Sequence, residues 1–232
     1  ADMGGEKVCI SGGEPLCYDG LLSVLDVANS SGIDISLYTT GIVHNGGTPK
    51  PISEQVACFL AEKSIKTVFS LHGATARTHD KLTCVEGSFR GTVAAIERVI
   101  DAGATVEVHV VPTLINFDEL ETIAKLVDSL NIHKISWLRF VPQGRGLSNK
   151  GILQLSKDQM QRLTTKMEET QQVYPAVRIR AGAPFNILCP DEPAPCEAGV
   201  SILTISPDGT ASPCDAFKRF RFQDDFANIL PH

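Results

Sequence analysis

The sequence predicts an α/β fold in which short strands alternate with helices around one curled parallel sheet. Between Lys7 and Val173, five runs rich in β-branched and apolar residues alternate with five longer segments of helical periodicity. The connections are too short for two domains, and successive right-handed crossovers form either a barrel or a doubly wound sheet. We favour the barrel: a partial (βα)6 TIM-like barrel that lacks its first βα unit and carries a C-terminal β-hairpin extension.

The individual elements are predicted from periodicity and from residues typical of helix ends. Strands are predicted at Lys7–Ser11, Asp34–Thr40, Lys66–His72, Thr105–Pro112 and Lys134–Val141. Helices are predicted at Gly20–Ser31, Ser53–Glu62, Phe89–Ala102, Asp118–Leu130 and Ser156–Val173. Ser53, Asp118 and Ser156 are residue types that begin helices, and Gly103 is a typical end signal.

The alternation stops near Tyr174, which predicts a barrel domain at residues 1–175 and an extension at 176–232. A proline-rich stretch, Ala183–Pro195, opens the extension. Two short strand-like segments then flank Ser206-Pro207-Asp208-Gly209, and the Asp-Gly pair is typical of a hairpin turn.

Composition excludes several classes of function. The chain has 232 residues, 43% of them hydrophobic, and a formal net charge of −6. No cluster of basic and aromatic residues indicates a nucleic-acid partner, and no apolar stretch is long enough to cross a membrane. We therefore expect a soluble cytoplasmic protein, and interpret the start at Ala1 instead of Met as that of a fragment.

Small and polar residues follow every predicted strand, at the edge where parallel α/β folds bind ligands. Glu14, after two glycines, has a charge suited to the ammonium group of an amino-acid-like ligand; the alternative is a tight turn begun by Pro15. These segments are Gly12-Gly13-Glu14, Thr39-Thr40-Gly41, Ser70 with His72-Gly73, Thr113 with Asn116, and Gln143-Gly144-Arg145-Gly146.

The seven cysteines are an odd number in a chain too large to need disulfides, so we expect them to be reduced. Three of them are predicted to be small buried hydrophobes: Cys9, Cys58 and Cys84. Cys196 and Cys214 flank the predicted hairpin, and Cys189 precedes them across several prolines. Together these three thiolates predict a zinc or iron–sulfur site, and spacing alone does not distinguish the two.

With these motifs in view, the chain resembles the radical S-adenosylmethionine (radical SAM) enzymes from about Lys7 to its end. SGGEPL is similar to the family's Gly-Gly-Glu element, which implies that Gly12, Gly13 and Glu14 bind the amino group of the methionine moiety. LYTTGI is similar to its Thr-Asn-Gly element, with Thr39 matching and Thr40 in place of the usual Asn.

Two later segments extend the resemblance. VFSLHG is similar to the family's fourth strand, which implies that Ser70 approaches the ribose or the methionine carboxylate. RFVPQGRG resembles the sixth-strand element, which implies that Arg145 lies near the pocket and the Val141 backbone near the adenine.

The C-terminal segment resembles the SPASM or twitch extensions of this family. Twelve residues separate Cys196 from Gly209 and four more separate Gly209 from Cys214, which matches the opening of such an extension. The resemblance implies an auxiliary iron–sulfur cluster in a short twitch or a truncated SPASM domain.

The family's CxxxCxxC loop is absent from the sequence, and we expect it before Ala1. The resemblance implies a 4Fe–4S cluster held by that loop, S-adenosylmethionine as the source of a 5′-deoxyadenosyl radical, and a reductant such as flavodoxin or ferredoxin. It also implies a peptide substrate or a small biosynthetic intermediate. The 232 residues alone are predicted to be inactive.

Two other classes of function compete with this interpretation, and no catalytic residue is assigned. A non-catalytic binding or scaffolding protein would keep the fold without the cysteine loop. A metal-independent barrel enzyme is disfavoured, because neither a strand-end lysine nor paired carboxylates stand out. Among the histidines, His72 lies where it would meet substrate, whereas His79, His109 and His133 are predicted to be structural.

Overall fold

The structure, a computed structural model, describes residues 4–43, 47–182 and 198–215. The chain divides into two compact units, Ala1–Leu188 and Cys189–His232. The domain boundary after residue 175 stays a prediction.

The first unit is built on six parallel strands that follow one another in chain order. They are β1 (Lys7–Ile10), β2 (Asp34–Thr39), β5 (Lys66–Ser70), β6 (Val106–Val110), β7 (Lys134–Trp137) and β8 (Arg178–Ala181). The short β3 (Ile42–Val43) and β4 (Lys50–Pro51) form a separate antiparallel ribbon. A doubly wound sheet reverses its strand order at a switch point, whereas an unbroken order is that of a barrel segment. The predicted α/β class and barrel order are confirmed.

Eight α-helices connect or follow these strands in the described part of the chain. They are α1 (Leu21–Ser30), α2 (Glu54–Glu62), α3 (Ala76–Thr83), α4 (Ser88–Asp101), α5 (Leu120–Ser129), α6 (Arg145–Ser148), α7 (Lys150–Leu153) and α8 (Lys157–Val173). Short 3-10 helices occupy Pro15–Cys17 and Phe117–Glu119. None of the described helices has the length and apolar character needed to span a bilayer.

Local capping explains where two helices begin. Ser53 accepts a hydrogen bond from the Val56 backbone N–H before α2, and Ser156 forms a capping box with Gln159 before α8. The predicted start at Asp118 is wrong, because this residue lies in a 3-10 turn and α5 begins at Leu120.

Several further elements differ from the sequence prediction, and the short β3, β4, α6 and α7 were not predicted at all. The strand predicted at Lys134–Val141 ends at Trp137. Both α3 and β8 were unpredicted: α3 is largely polar and buries only Thr78 and His79, and β8 has four residues in which arginine alternates with apolar residues. Short segments of this kind carry too little periodicity to be read from sequence.

The core lies between the sheet and its helices. Alternate strand residues enter it, including Leu37, Phe69, Val108 and Trp137, together with helix residues such as Ile96. Because side chains alternate along a strand, the intervening residues lie on the opposite face of the sheet.

The second unit is described at residues 198–215 and contains a small hairpin. Strands β9 (Thr204–Ile205) and β10 (Ala211–Ser212) are antiparallel. Gly209 takes a positive φ of 82° in the turn between them, and its N–H donates to the Ser206 carbonyl oxygen at 2.9 Å. The predicted hairpin is confirmed, although its strands are shorter than the sequence indicates.

Candidate functional site

The carboxyl edge of the parallel sheet brings together the first group of predicted site residues. Gly12, Gly13 and Glu14 follow β1, Thr39 ends β2, and Thr40 comes directly after it. Because β1 and β2 are adjacent and parallel, these two segments lie side by side.

Glu14 joins the two segments through hydrogen bonds to its carboxylate. The backbone N–H of Leu16 donates to Oε1 at 3.1 Å, and the Thr39 hydroxyl donates to the same oxygen. The backbone N–H and the hydroxyl of Thr40 donate to Oε2 at 2.7 and 2.5 Å. An ionised carboxylate accepts about four hydrogen bonds, so its capacity is used within the protein. We call Glu14, Leu16, Thr39 and Thr40 together the Glu14 clamp.

The end of β2 is itself held in place by packing. The hydroxyl of Thr92, a buried residue of α4, donates to the Thr40 carbonyl oxygen at 2.8 Å. Gly41 has a positive φ of 78°, and a Cβ there would lie 2.5 Å from the Phe69 ring and 2.8 Å from Ala95. Only glycine fits this turn, so the clamp is built on a rigid support.

The loop between β1 and Glu14 leaves room for a ligand. Gly12 and Gly13 are exposed, and a Cβ at either position would meet no atom within 4 Å. Within the described residues, no group donates a hydrogen bond to the carbonyl oxygen of Gly12 or Gly13. Two carbonyl acceptors therefore remain open beside the negative charge of Glu14.

A second polar group links the ends of β5 and β6. Asn116 is fully buried; its Oδ1 accepts from the Thr113 N–H and hydroxyl at 2.7 and 3.0 Å. Its Nδ2 donates to the carbonyl oxygens of His72 and Val111 at 2.8 and 3.0 Å. All four hydrogen-bonding positions of the Asn116 amide are filled within the protein, so Asn116 has a structural role at this edge of the sheet.

Two histidines beside this group are neutral. The His72 N–H donates to His79 Nδ1 at 3.1 Å, and the Val111 N–H donates to His72 Nδ1 at 3.4 Å. Burial lowers the pKa of both imidazoles from 6.5 to about 4. With Nδ1 accepting in each ring, the proton of each is assigned to Nε2. His79 is buried and structural, as predicted.

The sheet face opposite the core is lined mostly by polar residues. We call it the polar sheet face; it consists of Lys7, Cys9, Asp34, Ser36, Tyr38, Lys66, Val68, Ser70, Glu107, His109, Lys134, Ser136, Arg178 and Arg180. Ser70, a predicted ligand residue, lies here half-buried and in register with His109.

Contacts across the polar sheet face connect its strands. Glu107 forms ion pairs of 3.0 Å with both Lys66 and Lys134. Burial alone would raise the pKa of Glu107, but the hydrogen bonds from these two lysines hold it below its usual value. The rings of Tyr38 and His109 meet edge to face at 5.2 Å.

Burial also shifts the pKa of the two aromatic residues in this cluster. It raises the pKa of Tyr38 to about 12, with the neighbouring Cys9 adding to the effect. It lowers the pKa of His109 from 6.5 to about 4. Both side chains are therefore neutral near pH 7. Nothing in the local sequence distinguishes Tyr38 from any other tyrosine in a strand, so its place in this cluster could not be predicted.

The remaining predicted ligand residues lie farther along the same edge. Val141 and Arg145 are exposed and follow β7, with Arg145 at the start of α6. Strands β5 and β6 lie between β7 and β2 in the sheet, and among the described residues no hydrogen bond or ion pair joins Val141 or Arg145 to the Glu14 clamp. Their roles stay predictions.

The cysteines differ from expectation at three positions. Cys9, Cys58 and Cys84 are exposed and free, so the prediction that they are buried hydrophobes is wrong. Cys9 lies on the polar sheet face; Cys58 lies on α2, and Cys84 ends α3. Apolar neighbours in sequence do not imply burial when the side chain points away from the core.

The predicted metal site falls mostly outside the described residues. Cys214 is half-buried and free, whereas Cys189 and Cys196 lie outside the described residues. Within 4–43, 47–182 and 198–215, no three His, Cys, Asp or Glu side chains are grouped for metal binding.

Comparison with known proteins gives a family match over more than half of the chain. The model of the radical SAM superfamily matches residues 1–130. The PqqA peptide cyclase of Ruegeria pomeroyi is 26% identical over 238 aligned residues, covering 100% of this chain and 58% of the relative. The AdoMet-dependent heme synthase of Methanosarcina barkeri is 27% identical over 146 residues, covering 63% and 40%. The chain thus spans about half the length of the curated relatives it matches.

Solved structures show the same fold. Streptococcus suis SuiB superposes with a TM-score of 0.74 at 16% identity, covering 95% of this chain and 53% of SuiB. SuiB bound to the precursor peptide SuiA gives a TM-score of 0.76 at 17% identity, with 95% and 51% covered.

Proposed function

Because this chain belongs to the radical SAM superfamily, we propose that the whole protein binds S-adenosylmethionine at the carboxyl edge of the sheet and modifies a peptide. The observation that carries this proposal is the open pair of glycines held beside the Glu14 clamp. The enzyme class follows from the family. The ligand positions are proposed from the family resemblance, and the arrangement of Gly12, Gly13 and Glu14 at the edge supports them.

The clamp suits the methionine end of that ligand. An ammonium group needs acceptors, and the carbonyl oxygens of the exposed residues Gly12 and Gly13, which accept no hydrogen bond from any described residue, would supply two of them. The Glu14 carboxylate, already bonded to four donors, fixes the loop and adds negative potential beside the ammonium. Thr39 and Thr40 hold that carboxylate in place. In this proposal Glu14 orients the ligand and takes no proton.

The other ligand positions are proposed along the same edge. Ser70 would meet the ribose or carboxylate, and Arg145 and the Val141 backbone would lie toward the adenine. The described residues supply no three-cysteine set, and the sequence has no CxxxCxxC motif, so we assign the catalytic 4Fe–4S cluster to ligands outside these 232 residues. When bound, this cluster and S-adenosylmethionine supply a 5′-deoxyadenosyl radical that abstracts hydrogen from the substrate.

A peptide is the substrate class favoured by the relatives. Four PqqA peptide cyclases match more than nine-tenths of this chain, and the related fold of SuiB is known with a precursor peptide. A small biosynthetic intermediate is the second candidate, because two AdoMet-dependent heme synthases also match.

We also propose an auxiliary iron–sulfur cluster in the second unit and a one-electron donor such as flavodoxin or ferredoxin. The ligands of the auxiliary cluster would be Cys189, Cys196 and Cys214. The hairpin turn at Gly209 and the spacing of the cysteines around it support this assignment.

Anaerobic reconstitution of the full-length protein tests the proposal. With iron, sulfide and a reductant, we expect cleavage of S-adenosylmethionine to 5′-deoxyadenosine, measured by chromatography. Iron content above four per protein, lowered by Cys214→Ser, would support the auxiliary cluster. Fully loaded clusters without 5′-deoxyadenosine would contradict the proposed activity.

A further inference from the structure

The polar sheet face has a charge opposite to that of the protein. The formal net charge of the chain is −6, yet this face carries five cationic side chains and two carboxylates. The cations are Lys7, Lys66, Lys134, Arg178 and Arg180, and the carboxylates are Asp34 and Glu107. A parallel sheet is normally buried on both faces. The exposed charged residues of this face are Lys7 on β1, Asp34 on β2, and Arg178 and Arg180 on β8, so these strands offer a surface for an occupant.

The cations on this face fall into two groups. Lys66 and Lys134 share Glu107 and are thereby partly neutralised. Lys7, Arg178 and Arg180 make no ion pair with any described residue. The excess positive charge is therefore concentrated at the two arginines of β8, because Lys7 lies in register with the carboxylate of Asp34.

The two arginines are arranged to act together. Arg178 and Arg180 are two residues apart on β8, so both lie on the polar sheet face with their Cα atoms roughly 7 Å apart. Both are exposed. A guanidinium binds carboxylate through paired hydrogen bonds, and two at this spacing match alternate side chains of an extended peptide.

Arg180 also lies close to the carboxyl edge where the cofactor is proposed to bind. It is in register with Ser136, which is in register with His109 and, through it, with Ser70. The positive charge of Arg180 acts to lower the pKa of both Tyr38 and His109, so Arg180 interacts electrostatically with this cluster. A carboxylate held by Arg180 would thus lie beside the proposed radical source.

We propose that Arg178 and Arg180 bind the carboxylates of an acidic peptide segment that lies on the polar sheet face. The inference rests on the proposed function, of which it specifies the substrate class. Charge complementarity argues for this occupant: a basic or neutral peptide would leave both guanidiniums unpaired in the complex. Arg178 and Arg180 are thus specificity-determining residues for the substrate.

The exposed thiol of Cys9 lies on the same face but on the opposite edge strand, separated from β8 by four strands, so its protection tests whether the bound peptide extends across the face. Its Sγ lies 3.9 Å from the Tyr38 hydroxyl, whereas the exposed Cys58 and Cys84 lie on the helical side and serve as internal controls. The full-length protein, with clusters intact and S-adenosylmethionine present, is alkylated anaerobically with iodoacetamide. The probes are a synthetic decapeptide with three central glutamates and the same peptide with three glutamines. Mass spectrometry gives the alkylation rate of each cysteine.

We expect the glutamate peptide to slow Cys9 alkylation about fivefold, with no effect of the glutamine peptide and no change at Cys58 or Cys84. Arg178→Gln/Arg180→Gln should weaken binding of a dye-labelled glutamate peptide about tenfold, because two charge-assisted contacts are lost. Arg90→Gln, which removes an exposed helical arginine, should change nothing.

Three results would overturn the inference: equal protection by both peptides, no protection by either, or a Cys9 that is unreactive before peptide is added. The last result would mean that the protein covers this face itself.

Equilibrium dialysis of S-adenosylmethionine separates this inference from the proposed function. Both wild type and the double arginine variant should bind S-adenosylmethionine equally. If neither binds it, the proposed function fails whatever the peptides do. If both bind it and protection of Cys9 does not depend on peptide charge, only the present inference fails.

Discussion

Replacing Glu14 by glutamine should show whether this side chain positions the ligand loop or contacts the ligand directly. The variant keeps the shape of the side chain but exchanges one carboxylate oxygen for an NH2 group. That group would face either the Leu16 N–H or the Thr40 N–H, depending on its orientation. A hydroxyl can rotate to accept a hydrogen bond, whereas a backbone N–H cannot. Either orientation therefore leaves one backbone donor unpaired.

The expected cost follows from these contacts. A hydrogen bond to a charged group contributes about 1.5–3 kcal/mol, but Glu14 is half-buried, so water replaces part of the loss. We expect the free energy of unfolding of the domain to fall by about 2 kcal/mol, and its melting temperature to fall with it. Urea denaturation and calorimetry of the full-length protein measure both quantities. The matched control is Glu6→Gln at an exposed residue just before β1, which should change stability by less than about 0.5 kcal/mol.

A double-mutant cycle with Thr39→Val links the clamp to ligand binding. The valine removes the buried hydroxyl that donates to Glu14 and accepts from the Gly41 N–H, but it leaves the carboxylate charge in place. If Glu14 is a positioning residue, each single variant lowers the affinity for S-adenosylmethionine, and the double variant lowers it little further. The reasoning is refuted if Glu14→Gln is as stable as wild type and binds S-adenosylmethionine more than tenfold weaker, while Thr39→Val binds normally.

Two further predictions concern the buried polar group at the ends of β5 and β6. Asn116→Ala should lower the free energy of unfolding by about 3 kcal/mol, since it leaves buried groups of Thr113, His72 and Val111 without partners. A loss below 1 kcal/mol in urea denaturation would show that water replaces the amide. The second prediction concerns pH: burial lowers the His79 pKa from 6.5 to about 4, so between these values the unfolded chain binds a proton that the folded protein excludes. Stability should therefore be complete above pH 6.5 and decrease as the pH falls toward 4, by at most about 3 kcal/mol from this group. His79→Gln should flatten the curve of unfolding free energy against pH, and parallel curves for variant and wild type would contradict the assignment.

Much of the fold could be predicted because the signals are local. Helical periodicity and the capping hydrogen bonds of Ser53 and Ser156 involve residues close together in the chain, so both signals are visible in the amino-acid sequence. The same holds for the placement of Gly12-Gly13-Glu14 after a strand, since every parallel strand of this kind ends at the ligand edge. The α/β class, the chain-order sheet and the candidate edge were accessible in this way.

The sequence by itself determined which segments lie at the carboxyl edge, whereas only the tertiary structure decided what those segments contact. Glu14 meets hydroxyls 25 and 26 residues away, because β1 and β2 pair in one particular register. Likewise, Arg178 and Arg180 share a face with Glu107 only because β8 pairs with β7 in one particular register. The four residues of β8 are too few to predict that register from sequence. Local propensity specifies where a strand or helix forms, but partners distant in sequence depend on strand order, register and the face that each side chain occupies.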